Sequence, residues 1–132
     1  MSAPPAPFDL ASRYVKLDAD ARGREVAVDA EFWPQIDLRP EYAHGRLVMV
    51  FEFVADWPTW EIHPAGEELV CVLDGAMTLV LRLPKGDRTL DVGVGQSVLI
   101  PRGTWHTARV AKRCRALFVT PCAGTRNAAT HE

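Results

Sequence analysis

Short apolar segments separated by turn residues recur along most of the chain. They are rich in β-branched and aromatic side chains, which is typical of β-strands. The segments predicted as strands are 24–30, 47–55, 59–63, 69–73, 77–83, 89–92, 97–101, 105–110 and 114–120. No long apolar stripe of helical period is present, and residues 8–20 are predicted to hold one short helix. The pattern therefore predicts an all-β chain with a short irregular N-terminal segment.

Glycine and proline mark the reversals between these strands. Asp74-Gly75 predicts a tight hairpin, because glycine adopts positive φ without steric cost. Pro84 to Asp87 predicts a second hairpin turn, and the segments 93–95 and 101–103 predict two more reversals. Several short strands at this regular spacing indicate a β-sandwich or a β-barrel.

Some of the predicted strands are apolar on both faces. In 77–83, alternation places Met77, Leu79 and Leu81 on one face and Val80 on the other. A small barrel fills its interior with one face only, so the outer apolar residues need another sheet or another subunit. We therefore expect a homodimer. The positions expected to line a mostly apolar pocket inside the barrel are Val70, Val72, Met77 and Leu79.

Length and composition restrict the class of protein. A chain of 132 residues is expected to form one domain, here residues 9–132 after a flexible tail at 1–8. Its 48% hydrophobic and 24% charged content is ordinary for a soluble domain. The net charge of −2 provides no field that would recruit nucleic acid or an anionic membrane. The basic segment 109–115 lacks interleaved aromatics and is interpreted as a solvated hairpin.

The cysteines and the N-terminal segment indicate where the protein resides. Three cysteines without a C-x-x-C pair form neither a disulfide framework nor a thiolate zinc site. The first 15 residues lack the basic and apolar regions of a secretory signal. No apolar run approaches the ~20 residues that span a bilayer. We therefore expect a cytoplasmic protein that does not associate with membranes.

Candidate metal ligands concentrate in the segment Trp60–Leu69, WEIHPAGEEL. Glu61 and His63 are two positions apart in a predicted strand, so they share a face. Glu68 begins the next strand after the Pro64-Ala65-Gly66 corner, and pairing can bring it back beside His63. His106 opens another strand after the corner at 101–103. Two imidazoles with one or two carboxylates are a common site for Fe, Mn, Zn, Ni or Cu.

Two motifs in this region resemble those of the cupin superfamily. The residues Glu61-x-His63, Glu68 and Gly75 are similar to its first motif, within 61–75. The residues Gly95, Pro101, Gly103 and His106 are similar to its second motif, within 95–106, in the same order and spacing. The resemblance implies a double-stranded β-helix, the jelly-roll barrel of small single-domain cupins.

The resemblance also implies metal ligation by His63, Glu68 and His106, with one divalent ion such as Zn, Fe, Mn or Ni. Glu61 stands where the motif has its leading histidine, and Val110 stands where the second motif often has an asparagine. Glu61 is then either a fourth ligand or a general base. A degenerate cupin without metal, in which Glu61 and His63 hydrogen-bond each other, is the remaining alternative.

Other candidate residues are assigned weaker roles. Glu67 is expected to face away from Glu68 as a solvated acid, and Arg102 to be a solvated arginine at the barrel mouth. Trp57, Trp60 and Trp105 are interpreted as packing residues, with an apolar wall around a ligand as the alternative. His44 lies in a turn-like segment and His131 in the tail, and neither is expected to be functional.

The function predicted from these residues is metal-dependent binding of, or chemistry on, a small organic molecule inside the barrel. Oxygenase, lyase, isomerase and hydrolase chemistry all remain open, because a fold does not determine a reaction. The alternative function is a non-catalytic ligand-binding or sensing module, with a structural metal or with none. An open coordination sphere favours catalysis, and a closed sphere that includes Glu61 favours the alternative.

Overall fold

A computed structural model describes residues 4–130, which form ten strands and little helix. The strands are β1 (Arg13–Leu17), β2 (Gly23–Ala27), β3 (Arg46–Phe53), β4 (Thr59–Ile62), β5 (Glu68–Leu83), β6 (Gly86–Gly93), β7 (Ser97–Ile100), β8 (His106–Arg109), β9 (Cys114–Pro121) and β10 (Arg126–Ala129). A short helix α1 (Phe32–Gln35) and two 3₁₀ turns (Ile36–Leu38 and Pro40–Tyr42) lie between β2 and β3.

The strands form two antiparallel layers that share the long strand β5. The first half of β5 pairs with β7 and β9, and the layer continues through β3 and β1 to β2. The second half pairs with β6 and β8, and β4 and β10 extend that layer. Two antiparallel layers joined by a strand that crosses between them form a jelly roll. The all-β jelly-roll prediction is therefore confirmed.

The hairpin predicted at Asp74-Gly75 is wrong, because β5 runs through this point without reversing. Asp74 pairs with Arg115 and Gly75 with Cys114, after an irregularity in the register between Val72 and Asp74. Gly75 has φ +74°, and a Cβ there would collide with the carbonyl oxygen of Arg113. The glycine therefore allows β5 to bend from one layer into the other at a close backbone approach.

The helix predicted within residues 8–20 is also wrong, because β1 occupies the middle of this segment and the described residues around it are not helical. Tyr14 and Lys16 are buried, while Val15 and Leu17 are only half-buried. This alternation satisfies the period of a strand, and pairing with both β2 and β3 provides the hydrogen bonds. Tertiary pairing overrides the weak local preference of a short segment.

The other predicted turns lie where expected. The β5–β6 hairpin is tighter than predicted, since Leu83 pairs with Gly86 and only Pro84 and Lys85 connect the strands. Residues 4–9 are exposed and outside regular secondary structure, while residues 1–3 of the predicted tail lie outside the described part of the chain. Within residues 4–130, no helix has the length and apolar character needed to cross a membrane.

Candidate metal centre

Four side chains predicted as metal ligands converge at one end of the barrel. Glu61 and His106 are directly opposite each other in the β4–β8 ladder. His63 follows the end of β4, and Glu68 is the first residue of β5. Glu61, His63 and His106 each offer one ligand atom within 4.8 Å of the others. The local strand order and the 64–66 corner thus bring residues of three strand ends together.

Glu68 lies between the two imidazoles. Its Oε2 is 3.2 Å from Nε2 of His63, and its Oε1 is 3.1 Å from Nε2 of His106. The side chains of Glu68 and His106 are 3% and 0% exposed. Yet Glu68 Oε1 and both imidazole Nε2 atoms have no partner in hydrogen-bond geometry. Three buried polar atoms therefore approach one another without satisfying one another.

Backbone and hydroxyl groups orient the three side chains from behind. Nδ1 of His106 lies 3.0 Å from the carbonyl oxygen of Thr104, so this nitrogen donates and Nε2 points into the cluster. Nδ1 of His63 lies 2.8 Å from Oγ1 of Thr125. The hydroxyl of Thr120 donates to Glu68 Oε2 at 2.5 Å. Such contacts fix ring orientation and tautomer in metal sites.

The electrostatics of the cluster favour an anionic Glu68. Burial alone would raise the pKa of its carboxyl, but the neighbouring His106 and His63 outweigh burial and lower the pKa to about 2. Burial alone would lower the pKa of His106, but its contact with Glu68 raises it. The pKa of Glu61 is raised by burial and by the nearby Glu68 carboxylate. The cluster therefore combines an anionic Glu68 with a Glu61 carboxyl and a His106 imidazole that both hold their protons more strongly than usual.

The orphaned atoms and the donor chemistry fit a divalent cation. Imidazole nitrogens and carboxylate oxygens are ligands for Zn, Fe, Mn and Ni. A cation within reach of both Nε2 atoms and of Glu68 Oε1 would satisfy each of these buried atoms. It would also compensate the two neighbouring carboxylates of Glu61 and Glu68. The His/Glu cluster could therefore hold a metal ion.

A cavity of about 700 Å³ opens beside the cluster. Glu61, His63 and Glu68 form part of its wall. The remaining walls come mainly from β3, from the 54–58 connection to β4, from β9 and from α1 with the following 3₁₀ turn. The expected lining by Val70, Val72, Met77 and Leu79 is wrong, since these side chains pack in the hydrophobic core. A cavity of this size suits a small organic molecule.

The three tryptophans near the motifs have different surroundings. Trp57 is buried, lies 6.2 Å from the His106 ring between centroids, and also lines the cavity. Trp60 points to the other face, where the guanidinium of Arg82 stacks 4.2 Å from its ring centroid. Trp105 is half-buried, and Arg126 lies 5.9 Å from its ring centroid. Trp60 and Trp105 are thus packing residues, as expected, whereas Trp57 both packs and forms cavity wall.

The residues that were assigned weaker roles lie away from the cluster. Glu67 accepts a hydrogen bond from the backbone N–H of Arg102 at 3.3 Å, so it supports the 101–103 corner. Arg102 and His44 are exposed, and His131 lies outside the described residues. In the basic hairpin, Arg113 forms ion pairs with Glu52 at 2.5 Å and with Asp74 at 2.8 Å. The hairpin therefore has a surface of mixed charge.

Several residues around the site were not identified from the sequence. Thr120 and Thr125 lie 52 and 62 positions from the side chains they contact, so no local pattern relates them. Thr104 is two residues before His106, and this spacing is a signal that could have been used. The cavity wall from α1, including Trp33, depends on how that segment folds over the barrel.

Comparisons with known proteins agree with this architecture. A family model described as "Cupin domain" matches residues 48–120, which include all four candidate ligands. A sequence comparison with curated proteins finds no match. A solved cupin protein from Bacteroides fragilis aligns with a TM-score of 0.51 and 18% identity, over 61% of this chain and 68% of that one.

Two solved enzymes share the fold at low sequence identity. A recombinant oxalate oxidase in complex with glycolate aligns with a TM-score of 0.53 and 16% identity, over 95% of this chain and 59% of that one. An oxalate decarboxylase from Bacillus subtilis, described with Mn(II) centres, aligns with a TM-score of 0.52 and 12% identity, over 73% of this chain and 26% of that one. The present chain thus corresponds to only part of each enzyme.

Proposed function

We propose, because this chain belongs to the cupin domain family, that it binds one divalent transition-metal ion at the His/Glu cluster and holds a small organic molecule beside it. The proposed ligands are His63, Glu68 and His106. The organic molecule occupies the adjoining cavity of about 700 Å³. The family assignment agrees with the resemblance found in the two sequence motifs.

The observation that carries this proposal is the set of three buried atoms without hydrogen-bond partners. They are Nε2 of His63, Nε2 of His106 and Oε1 of Glu68, and each imidazole Nε2 lies within 3.2 Å of one oxygen of the Glu68 carboxylate. Leaving a buried polar atom unsatisfied costs roughly 1–3 kcal/mol. A protein that maintains three such atoms at one point gains stability when a cation binds there.

A bound divalent ion would supply Lewis acidity toward an oxygen or nitrogen atom of the organic molecule. The chain itself would orient that molecule against the cavity wall and exclude water from the buried side of the cluster. Glu61 has two possible roles, since it lies at the cluster and also faces the cavity. It is either a fourth ligand or a base whose raised pKa suits proton transfer.

Elemental analysis of the purified untagged protein tests the proposed metal site. We expect about one equivalent of a transition metal in the wild type after exposure to Zn, Mn, Fe(II) or Ni in turn. The double variant His63→Ala/His106→Ala should contain none. His44→Ala is the matched control, because it removes an exposed histidine outside the cluster and should retain the metal. Equal metal content in the double variant and the wild type contradicts the assignment.

The substitution Glu61→Gln separates the two roles of Glu61, and Glu61→His accompanies it as a variant that keeps a donor at this position. A ligand role predicts that Glu61→His keeps the metal, because imidazole replaces one donor with another. Glu61→Gln should then weaken metal binding, since an amide is a poorer ligand than a carboxylate. A base role predicts unchanged metal binding in both variants. Titration of the metal-free proteins with Zn distinguishes these results, and it also decides between a closed sphere and an open one.

We further propose that the chain forms a homodimer through the outer face of the β7–β5–β9–β3 layer. One row across this face consists of Val48, Val119, Leu69 and Leu99, which are register partners on adjacent strands. Leu99 is 63% exposed, as an unpaired apolar face requires. Sedimentation analysis should show a dimer that Leu99→Lys converts to a monomer. Leu38→Lys alters another exposed leucine, 80% exposed and outside this layer, and should leave the dimer intact.

A reducing compartment such as the cytoplasm is the location that we propose. All three cysteines are free thiols in the described structure, and two of them are buried. Burial raises the pKa of the Cys122 thiol to about 11, so it is a poor nucleophile. Thiol titration with and without reductant should give the same count if no disulfide forms in the cell.

A further inference from the structure

We propose that the organic molecule held in the cavity is aromatic and either neutral or cationic, and that small carboxylates are poor ligands. This inference rests on the proposed function, because it identifies the class of molecule that lies beside the His/Glu cluster. It also separates this chain from the oxalate enzymes that share its fold. The argument comes from the charge and the shape of the cavity wall.

The charge of the wall has one sign. None of the described residues that line the cavity is a lysine or an arginine, whereas five of them are acids. Those acids are Asp37, Glu52, Asp56, Glu61 and Glu68. Proteins that bind carboxylates usually provide an arginine or a lysine that can donate to both oxygens or compensate the charge. This cavity provides no such group, so an anionic ligand would meet repulsion.

A bound metal ion does not reverse this charge. The carboxylates of Glu61 and Glu68 formally balance one divalent ion. Of the other three acids, Glu52 is compensated by its ion pair with Arg113, so Asp37 and Asp56 remain, and Asp37 is exposed at the cavity. The cavity therefore keeps a neutral to negative potential with the ion in place, which favours neutral or cationic ligands.

The shape and chemistry of the wall favour an aromatic ligand. A ladder of rings extends from α1 to the cluster, with centroid separations of 6.3 Å for Trp33–Phe51, 6.1 Å for Phe51–Phe53 and 5.3 Å for Phe53–Trp57. Trp57 then contacts the His106 ring. Phe51 and Phe53 are only half-buried by the surrounding protein. Their uncovered ring surface faces the cavity and can stack on a flat apolar molecule.

The size of the cavity supports the same conclusion. Its volume of about 700 Å³ lies within the range of pockets that hold drug-sized ligands. A two-carbon dicarboxylate would leave most of this volume and the whole aromatic ladder uncovered. An aromatic molecule can cover the ladder while a polar substituent reaches the cluster.

Three probes with one ring system test the charge preference. They are 2-naphthylmethanol, 2-naphthylmethylammonium and 2-naphthoate, with oxalate as the small dianion. Each is titrated by calorimetry into Zn-loaded protein and into metal-free protein. We expect the neutral and cationic probes to bind at least about ten-fold more tightly than naphthoate, because like charges at a desolvated surface repel. Oxalate should bind more weakly than any ring probe.

Two pairs of variants sharpen the test. Phe53→Ala should weaken the binding of every ring probe, whereas Phe8→Ala, at an exposed phenylalanine outside the cavity wall, should not. Asp37→Lys should reduce the difference in affinity between naphthylmethylammonium and naphthoate, because it replaces a negative charge of the cavity wall with a positive one. Asp20→Lys makes the same charge change in the exposed turn after β1 and should leave the difference in affinity between these two probes unchanged.

The results separate this inference from the proposed function. Tightest binding by naphthoate or oxalate, or no binding by any ring probe, would overturn the inference. Either result can occur while elemental analysis still finds metal at the cluster, in which case the metal site stands. Loss of the metal site would instead appear as absent metal with the charge preference intact in metal-free protein.

Discussion

Two clusters of ionisable side chains differ in burial, and they behave differently. Outside, Arg113 lies between Glu52 and Asp74 at 2.5 and 2.8 Å, with all three side chains about half exposed. Inside, Glu68 lies between His63 and His106 at 3.2 and 3.1 Å, with all three at most 5% exposed. In the outer cluster one guanidinium contacts two carboxylates, and in the inner cluster one carboxylate contacts two imidazoles.

The difference shows how burial converts a charge cluster into a binding site. The outer guanidinium makes hydrogen bonds with both acids, and water screens what remains. The inner cluster is shielded from bulk solvent, and three of its atoms lack a hydrogen-bond partner within the protein. An outer cluster of this kind contributes little beyond solubility, whereas the inner cluster favours a cation strongly.

Metal removal should have the largest effect on stability and should distinguish the two clusters most clearly. A ligand present at 1,000 times its dissociation constant adds about 4 kcal/mol to the free energy of unfolding. Chelation should therefore lower the midpoint of thermal unfolding on the order of 10 °C for a domain of this size. Calorimetry of His106→Ala should show no response to chelator, while Arg113→Ala should respond as the wild type does. An unchanged midpoint on chelation of wild-type protein shown to contain metal would contradict the inner cluster's role.

Removal of the hydroxyl behind His63 should have the next largest effect. Thr125→Val deletes the partner of Nδ1 at 2.8 Å and leaves the imidazole free to rotate. Outer partners of this kind change metal affinity roughly 10- to 100-fold. Zn titration against a competing chelator measures the change. Thr78→Val is the control, because it removes a hydroxyl that bonds Asp91 on the exposed side of the sheet; equal losses in the two variants would show that no specific orientation is involved.

The pH dependence of stability should differ between the metal-free and the metal-loaded protein, and the inner cluster should cause this difference. The pKa of His106 is raised above its ordinary value of 6.5 by Glu68. A raised pKa in the folded state contributes stability that is fully present below the unfolded value and is lost as the pH rises through the folded value. The chelated protein should therefore lose stability as the pH rises above 6.5. The metal-loaded protein should not, because the ion replaces the proton. Parallel urea denaturation series would reveal whether the two curves diverge.

Substitution in the outer cluster should have the smallest effect. Arg113→Ala removes both ion pairs, but its exposed charges are already solvated and screened. We expect a shift in the thermal midpoint well below that caused by chelation, and one that disappears at high salt. A shift as large as that of metal removal would mean that the outer cluster is structural and that the contrast between the clusters is wrong.

The fold was largely accessible from local patterns, with two informative errors. Alternating apolar residues identified most strands, because each strand buries one face. The hairpin expected at Asp74-Gly75 is instead a bend in one long strand, and the expected helix near the N-terminus is β1. Glycine at positive φ serves a hairpin and a bend equally well. Only the pairing of Gly75 with Cys114 on β9 decides between them.

The residues of the candidate site could be predicted from the sequence to a similar degree. Strand period places Glu61 and His63 on one face, and the corner after them returns the chain to Glu68. These relations are local, and the structure brings the residues together. The cavity was not accessible, since its expected lining by Val70 and Val72 proved to be core. The side chains that line the cavity are determined by how α1 and β3 pack over the barrel, and this packing is not visible in a local pattern.

The sequence by itself determined most of the strands, most of the turns and the four candidate ligands of the cluster. It could do so because side-chain alternation and turn chemistry act over a few residues. Only the tertiary structure decided which threonines orient the donors, which aromatic rings form the cavity wall and which charges water can reach. Thr125 contacts His63 across 62 positions, and Glu68 contacts Thr120 on β9 and His106 on β8, one from each layer. These features arise from packing between distant segments, which no local pattern encodes.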